Sequence, residues 1–311
     1  MSTSTSKPSA TATAPVASGH GPSRKLTRAE QRAIDAKTRM TSPLASLIAV
    51  VVAILWTVPT AGLLITSFRP SADIRRDGWW NVVTQPRFTL ANYQAALGTS
   101  GLGDMFINSI VITLPAVIIP IILALLAAYA FAWIDFKGRD FLFAAVFALQ
   151  VVPIQVTLIP LLTTYVRAGL GGTFWTVWLS HTIFGLPLAI FLLHNFMKEI
   201  PASLIEAARV DGAGHVRVFF QVLMPLLMPA IASFGIFQFL WVWNDLLVGL
   251  TFAGSEYRPI TVAIAEMVGS RGQDWHLLSA GAFISMIVPL AVFLSLQRFF
   301  VRGLLAGGVK G

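Results

Sequence analysis

Six stretches of this 311-residue chain contain no Asp, Glu, Lys or Arg: residues 40–68, 105–134, 141–166, 168–197, 218–244 and 275–297. Each exceeds the ~20 residues that carry a helix across a hydrocarbon core ~30 Å thick. Lipid offers no partner to a bare peptide group, so a crossing segment must satisfy its own backbone, which a run of this length does as a helix. This predicts an all-α, polytopic membrane protein with six transmembrane helices. The expected spans lie near 43–67, 106–133, 141–166, 173–196, 225–252 and 276–300. Charged residues make up 12% of the chain, against about 25% for a soluble domain.

The net charge of +8 fits membrane topology better than nucleic-acid binding. With the N-terminus inside, 15 Lys and Arg fall in cytoplasmic segments and 7 in external ones. Cytoplasmic loops collect basic residues, so both termini are predicted to be cytoplasmic. Residues 1–42, rich in Ser, Thr, Ala and Pro and then basic, read as a disordered cytoplasmic tail. Residues 304–311 read as a second, C-terminal one. The chain has no cysteine, which excludes disulfides and thiolate metal sites, and its five histidines are scattered, so no metal site is expected.

Two spans are polar enough to need an explanation. The third contains Gln150, Pro153, Gln155 and Pro160, so it is expected to be kinked, with its amides facing protein or a cavity. The fifth carries Asn244-Asp245 in its outer part. A charge at mid-bilayer costs about 2.5–3.5 kcal/mol on insertion scales, so this pair is expected to face a cavity or a partner. Two readings stand: the pair lines a pathway or its outer gate, or it is a hydrogen-bonded packing pair.

Between spans four and five lies the long inner loop 198–224. Pro201 suits the start of a helix. Ala202 to Val210 form helix readily, with Leu204 and Ala208 on one face. Asp211-Gly212 then stops the helix where Gly adopts a left-handed conformation easily. Ala207 and Ala208 would let a partner surface approach closely, and Glu206 can offer a carboxylate to a partner's cation. Such a helix either docks a partner or simply connects two spans.

Glu206-Ala207-Ala208, three residues, Gly212, nine residues, then Val222-Leu223-Met224-Pro225 resembles the EAA signature of ABC importer permeases. Val222 and Met224 depart mildly from the usual Ile and Leu. The surrounding Asp211, Ala213, Phe219 and Pro229 are similar to the carbohydrate subfamily. So are Phe88-Thr89-Leu90 with Asn92-Tyr93, the Ala-Tyr-Ala-Phe run ending span two, and Trp243-Asn244-Asp245. The closing segment Phe300 to Gly311 resembles the MalG-like partner of the maltose-type permease pair. The likeness covers about residues 85–311.

The resemblance implies the type I ABC importer permease architecture in a bacterial-type inner membrane. Glu206, Ala207, Ala208, Asp211 and Gly212 would then form a helix that docks on a separate ATPase, and Lys310 and Gly311 would reach the same interface. Asn244, Asp245, Gln150 and Gln155 are the candidates for the translocation pathway. The implied partners are a second homologous permease, two copies of a cytoplasmic ABC ATPase, an external solute-binding protein, lipid, and a sugar, a di- or oligosaccharide. No G-x-x-x-x-G-K-[ST] phosphate loop occurs in the chain, so ATP and Mg are assigned to the ATPase partner and no cofactor to this chain. The chain is accordingly read as a transport subunit rather than an enzyme. The alternatives are a permease for a polyol or glycerol phosphate, and a membrane scaffold or receptor that docks a cytoplasmic partner.

Overall fold

The computed structural model describes residues 43–98, 100–269 and 274–308, without the side chains of 268–269 and 298–308. The expected tail 1–42 and the candidate contacts Lys310 and Gly311 lie outside the described residues. Two compact units divide at Pro59 and Thr60, within the helix α1 (Pro43–Phe68). The first unit contributes the helical residues 43–59, whose side chains are nearly all exposed.

The second unit is entirely helical among the described residues. Its long helices are α4 (Leu102–Trp133), α7 (Phe174–Glu199), α9 (His215–Trp243) and α12 (Trp275–Gly308). Together with α1, five helices are long and apolar enough to cross a membrane. A sixth apolar segment is broken into α5 (Arg139–Ala148) and α6 (Ile154–Arg167), with a bend of 101° between its two parts. Proline explains the break. Pro153 forces Val152 into an extended conformation (ψ 120°) and opens α6 itself. The expected kink is therefore a sharp corner.

The segment after α1 folds back on it through α2 (Ser71–Ile74), a 3₁₀ turn (Trp79–Val83) and α3 (Ala91–Leu97). The last carbonyls of a helix lack intrahelical partners. Here the Asn92 side-chain amide donates to the Ser67 carbonyl (2.9 Å) and the Arg69 carbonyl (2.8 Å), and the Thr89 amide donates to the Phe68 carbonyl (2.6 Å). Tyr93 completes the closure through its hydroxyl, 2.8 Å from Ser67 Oγ.

Every one of the long helices contains an interior proline. A proline removes the hydrogen bond to the carbonyl four residues back, and in lipid that carbonyl needs a new donor. Three such carbonyls receive one from another helix. Pro115 frees Val111, which accepts from Trp178 Nε1 at 3.0 Å. Pro120 frees Ala116, which accepts from Gln238 Nε2 at 3.2 Å. Pro289 frees Ser285, which accepts from Trp243 Nε1 at 3.0 Å. The prolines thus tie α4 to α7 and α9, and α9 to α12.

At the end of the bundle away from the 198–224 loop, α9 stops at Trp243, short of the expected 252. A new short helix, α10 (Leu247–Phe252), begins because the Asp245 carboxylate accepts the amides of Val248 (2.9 Å) and Gly249 (3.1 Å). The chain continues into α11 (Ile260–Gly269), whose Ile260 amide donates to Ser109 Oγ at 2.8 Å. At the other end, α4, α7 and α9 converge on an apolar cluster that includes Ala128, Tyr129, Leu193, Met197, Phe219 and Leu223.

Candidate functional site

The loop between α7 and α9 is built around one nine-residue helix, α8 (Ala202–Val210). Pro201 starts it with an extended backbone (φ −58°, ψ 130°). Its end is a Schellman closure: the Ala213 amide donates to the Ala208 carbonyl (2.9 Å) and the Gly212 amide to the Arg209 carbonyl (3.0 Å). This requires a left-handed residue, and Gly212 sits at φ +80°. A Cβ there would meet nothing within 4 Å, so the backbone, not crowding, demands glycine.

One side chain anchors α8. Ile205 is only 2% exposed and inserts into the apolar cluster at this end of the bundle. Of the two residues placed on one face by the sequence, Leu204 is 46% exposed, while Ala208 is partly buried against the cluster. Nine residues of mixed polarity allow either face inward, and Ile205 is the one that packs into the apolar cluster of α4, α7 and α9. Glu206, Ala207 and Asp211 remain exposed. Around them Val210, Val216 and Phe220 also present apolar side chains outward.

Beyond α8, α9 opens with His215 and then runs as a π-helix from Val218 to Leu223. Tyr129, near the end of α4, places its hydroxyl 2.7 Å from His215 Nδ1 and packs edge-on against Phe219. The Arg209 guanidinium of α8 is close enough to act electrostatically on the same hydroxyl.

The interior candidates separate into two places. Gln150 and Gln155 flank the α5–α6 corner and line one cavity of about 650 Å³, which Ile183, Phe184 and Pro187 of α7 close from the other side. Gln150 and Gln155 are both exposed. Asn244 and Asp245 do not share that cavity. Asn244 turns back to the Leu240 carbonyl at 2.7 Å. Asp245, besides capping α10, lies 3.6 Å from Nε2 of the buried His181 and accepts from Thr261 Oγ1 through its own carbonyl (2.7 Å). The geometry around Asp245 is that of a packing and capping residue. No group of three or more metal-ligating side chains occurs among the described residues.

Gln238 and the tryptophans at 178 and 243 donate across helices in this interior, a role that no local pattern marks. The available signal was the interior prolines, each of which leaves a carbonyl in need of a donor.

Residues 120–305 match the family described as "Binding-protein-dependent transport system inner membrane component". The chain belongs to this family, and it is a multi-pass inner-membrane permease component. Over 83% of its length it is 56% identical to the osmoprotective compounds uptake permease protein GgtD of Synechocystis, covering 89% of that protein. Over 79% of its length it is 48% identical to the alpha-glucoside transport system permease protein AglG of Rhizobium meliloti, covering 68% of that protein. Its fold is similar to a chain of a bacterial ABC transporter involved in the import of the acidic polysaccharide alginate. That match has a TM-score of 0.66 and 20% identity, and covers 89% of this chain and 99% of the other.

Proposed function

We propose that this chain is the permease through which an ATP-driven importer takes up a sugar, with α8 as the element that receives the ATPase stroke. The observation that carries the reading is α8 itself. It is short, held to the bundle by Ile205, closed by Gly212, and exposes Glu206 and Ala207 beside the apolar Val210, Val216 and Phe220. A mixed polar and apolar face on a rigid projection is suited to a protein partner. On this reading Glu206 makes polar contacts, Ala207 permits close approach, Ala208 seats the helix, and Asp211-Gly212 sets the turn.

ATP and Mg belong to two copies of a cytoplasmic ATPase, and the chain pairs with a second permease. The solute arrives from an external binding protein. The loop lies on the cytoplasmic side, as do both termini, and Lys310 and Gly311 reach the ATPase interface. Substrate passes beside the 650 Å³ cavity, within the size range of small-molecule sites, with Gln150 and Gln155 as its polar lining and Asn244 nearer the outer rim. A di- or oligosaccharide suits amides spaced along an otherwise apolar wall.

The cargo of the similar permeases, osmoprotective compounds in one and alpha-glucosides in the other, supports a sugar over glycerol phosphate. Purifying the intact complex and measuring ATP hydrolysis with its binding protein loaded with alpha-glucosides, other oligosaccharides or glycerol phosphate tests this. Stimulation by a saccharide is expected; stimulation by glycerol phosphate alone would refute the sugar reading. Glu206→Lys is expected to abolish uptake while leaving membrane insertion intact, and full uptake with full ATPase association would overturn the role of α8.

A further inference from the structure

Movement of α8 has a covalent route into two of the three helices at its end of the bundle. It joins α7 through Ile200 and Pro201, and α9 through Asp211 to Gly214. The third helix, α4, is connected in sequence only to α3 and α5, so side chains must carry anything it receives. Yet α4 and α7 form the most extensive helix pair in the molecule, and α4 lends Ala124 to Ala132 to the shared apolar cluster. A rigid shift of the loop that left α4 behind would break that pair.

The described hydrogen bond and ring contacts that reach α4 from the loop converge on one residue. Tyr129 is 7% exposed, its ring wedged edge-on against Phe219 at 5.4 Å and against His215 at 6.0 Å. Its hydroxyl points out of the apolar cluster to His215 Nδ1 at 2.7 Å, with Arg209 of α8 nearby. His215 is exposed and is the first residue of α9, three residues after Gly212 and three before the start of the π-helical segment at Val218. A π-segment holds one more residue per hydrogen-bonded loop than the α-helix on either side, and such segments concentrate at functional positions. The Tyr129–His215 bond therefore fixes α4 to the one point where the loop becomes a helix, below a stretch able to change register.

Resting on the coupling reading of α8, we propose that Tyr129 and His215 form the joint that passes displacement of α8 to α4. They are positioning residues, and neither touches substrate or nucleotide. Apolar contacts between Ile205 and the cluster give the loop its seat, but they are non-directional and permit sliding. A short hydrogen bond between a buried hydroxyl and the first residue of α9 does not, and it makes α4 move with α9.

The test uses the complete transporter in proteoliposomes, carrying Tyr129→Phe, His215→Ala or both, with Glu206→Lys beside them. Co-purification of the ATPase, basal ATP hydrolysis and uptake per ATP hydrolysed are read separately. Each single variant is expected to keep the ATPase and its basal rate, and to lower uptake per ATP about fivefold, the fold-change equivalent to one hydrogen bond. The double variant is expected to lose no more than either single one, because both remove the same bond. His215→Gln, which can still accept from the tyrosine, is expected to recover most of the loss.

A merely structural contact would lower the yield of assembled complex and leave uptake per ATP unchanged, and that result overturns the joint. Additive losses in the double variant overturn it as well. If Tyr129→Phe prevents assembly, the exposed His215 decides: normal uptake per ATP in His215→Ala sinks the proposal. If Glu206→Lys leaves association and uptake intact, the coupling reading itself fails; if it uncouples while the joint variants do not, only the joint fails.

Discussion

Both ends of the bundle are packed around apolar clusters, but they differ in their polar cross-links. At the loop end, α4, α7, α8 and α9 meet in one apolar cluster, crossed between α4 and α9 by the Tyr129–His215 bond. At the opposite end and through the middle, side chains donate across helices to backbone carbonyls. Trp178, Gln238 and Trp243 answer prolines, Thr176 donates to the Phe252 carbonyl at 2.9 Å, and Asn108 to the Glu256 carbonyl at 2.9 Å. Apolar contacts tolerate small sliding because they have no preferred direction. Hydrogen bonds in a water-poor interior fix register, and losing one strands a polar group. On the proposed reading, the loop end is the one displaced, while these cross-links keep the other in register.

The strongest test of that contrast is Ile205→Ala. It removes the anchor of α8 from a site that is 2% exposed, and deletions of this kind cost about 2–5 kcal/mol. Because the contact is apolar, the effect should be graded, with Ile205→Val costing about 1 kcal/mol. Denaturation midpoints in detergent, with limited proteolysis of the loop, measure both. Equal losses for Val and Ala would mean that shape, not buried area, holds the loop.

At the polar end the corresponding variant is Asp245→Ala. It removes the cap from α10 and leaves His181 Nε2 without its acidic neighbour. A lost cap costs about 1 kcal/mol; His181 Nε2, 3.6 Å from the carboxylate, has no hydrogen bond to lose. Asp245→Asn, which keeps an acceptor for the two amides, should retain much of the cap. Unlike the Ile205 pair, this series should follow hydrogen-bonding capacity rather than size. Uptake unchanged in Asp245→Ala would separate the residue from the pathway.

Gly212 shows that the loop end is exacting in one respect, its turn. Alanine at φ +80° costs about 1–2 kcal/mol, and Asn, which visits this region more readily, should cost less. Since a Cβ there meets nothing, the ranking Gly over Asn over Ala should follow backbone preference alone. A valine no worse than alanine would contradict it.

What the sequence made legible follows from the same physics. Charge-free runs reveal helices because lipid leaves the backbone no alternative, and Pro201 with Gly212 delimits α8 because both act on their own backbone. Pro153 announced a kink, but not a corner of 101°, since that angle depends on what α7 packs into it. That Ile205, and not a residue of the Leu204–Ala208 face, anchors α8 was not legible, because a nine-residue helix does not by itself specify which side meets the bundle. Asp245 read as an intramembrane charge needing a partner; that the partner is His181, 64 residues earlier (245 − 181), was invisible. Asn92-Tyr93 was legible only as a resemblance, and the structure gives it a physical task at the end of α1.

The smallest expected effect is the sharpest, because it turns on one atom. Gln238 is 1% exposed and donates to the carbonyl that Pro120 frees, with Gly185 packed so closely that a Cβ there would lie 2.8 Å from the amide nitrogen. Gln238→Leu should cost about 1 kcal/mol, the usual scale of an interhelical bond in membranes, because the Ala116 carbonyl is stranded. Pro120→Ala restores a backbone N–H that can take that carbonyl within α4. In the Pro120→Ala background, Gln238→Leu should therefore cost distinctly less, as the surviving helix bond replaces the lost one. Unfolding midpoints of the four proteins in one detergent give the coupling directly. Strict additivity would mean that Gln238 stabilises by packing alone, and the contrast between the two ends would lose its clearest example.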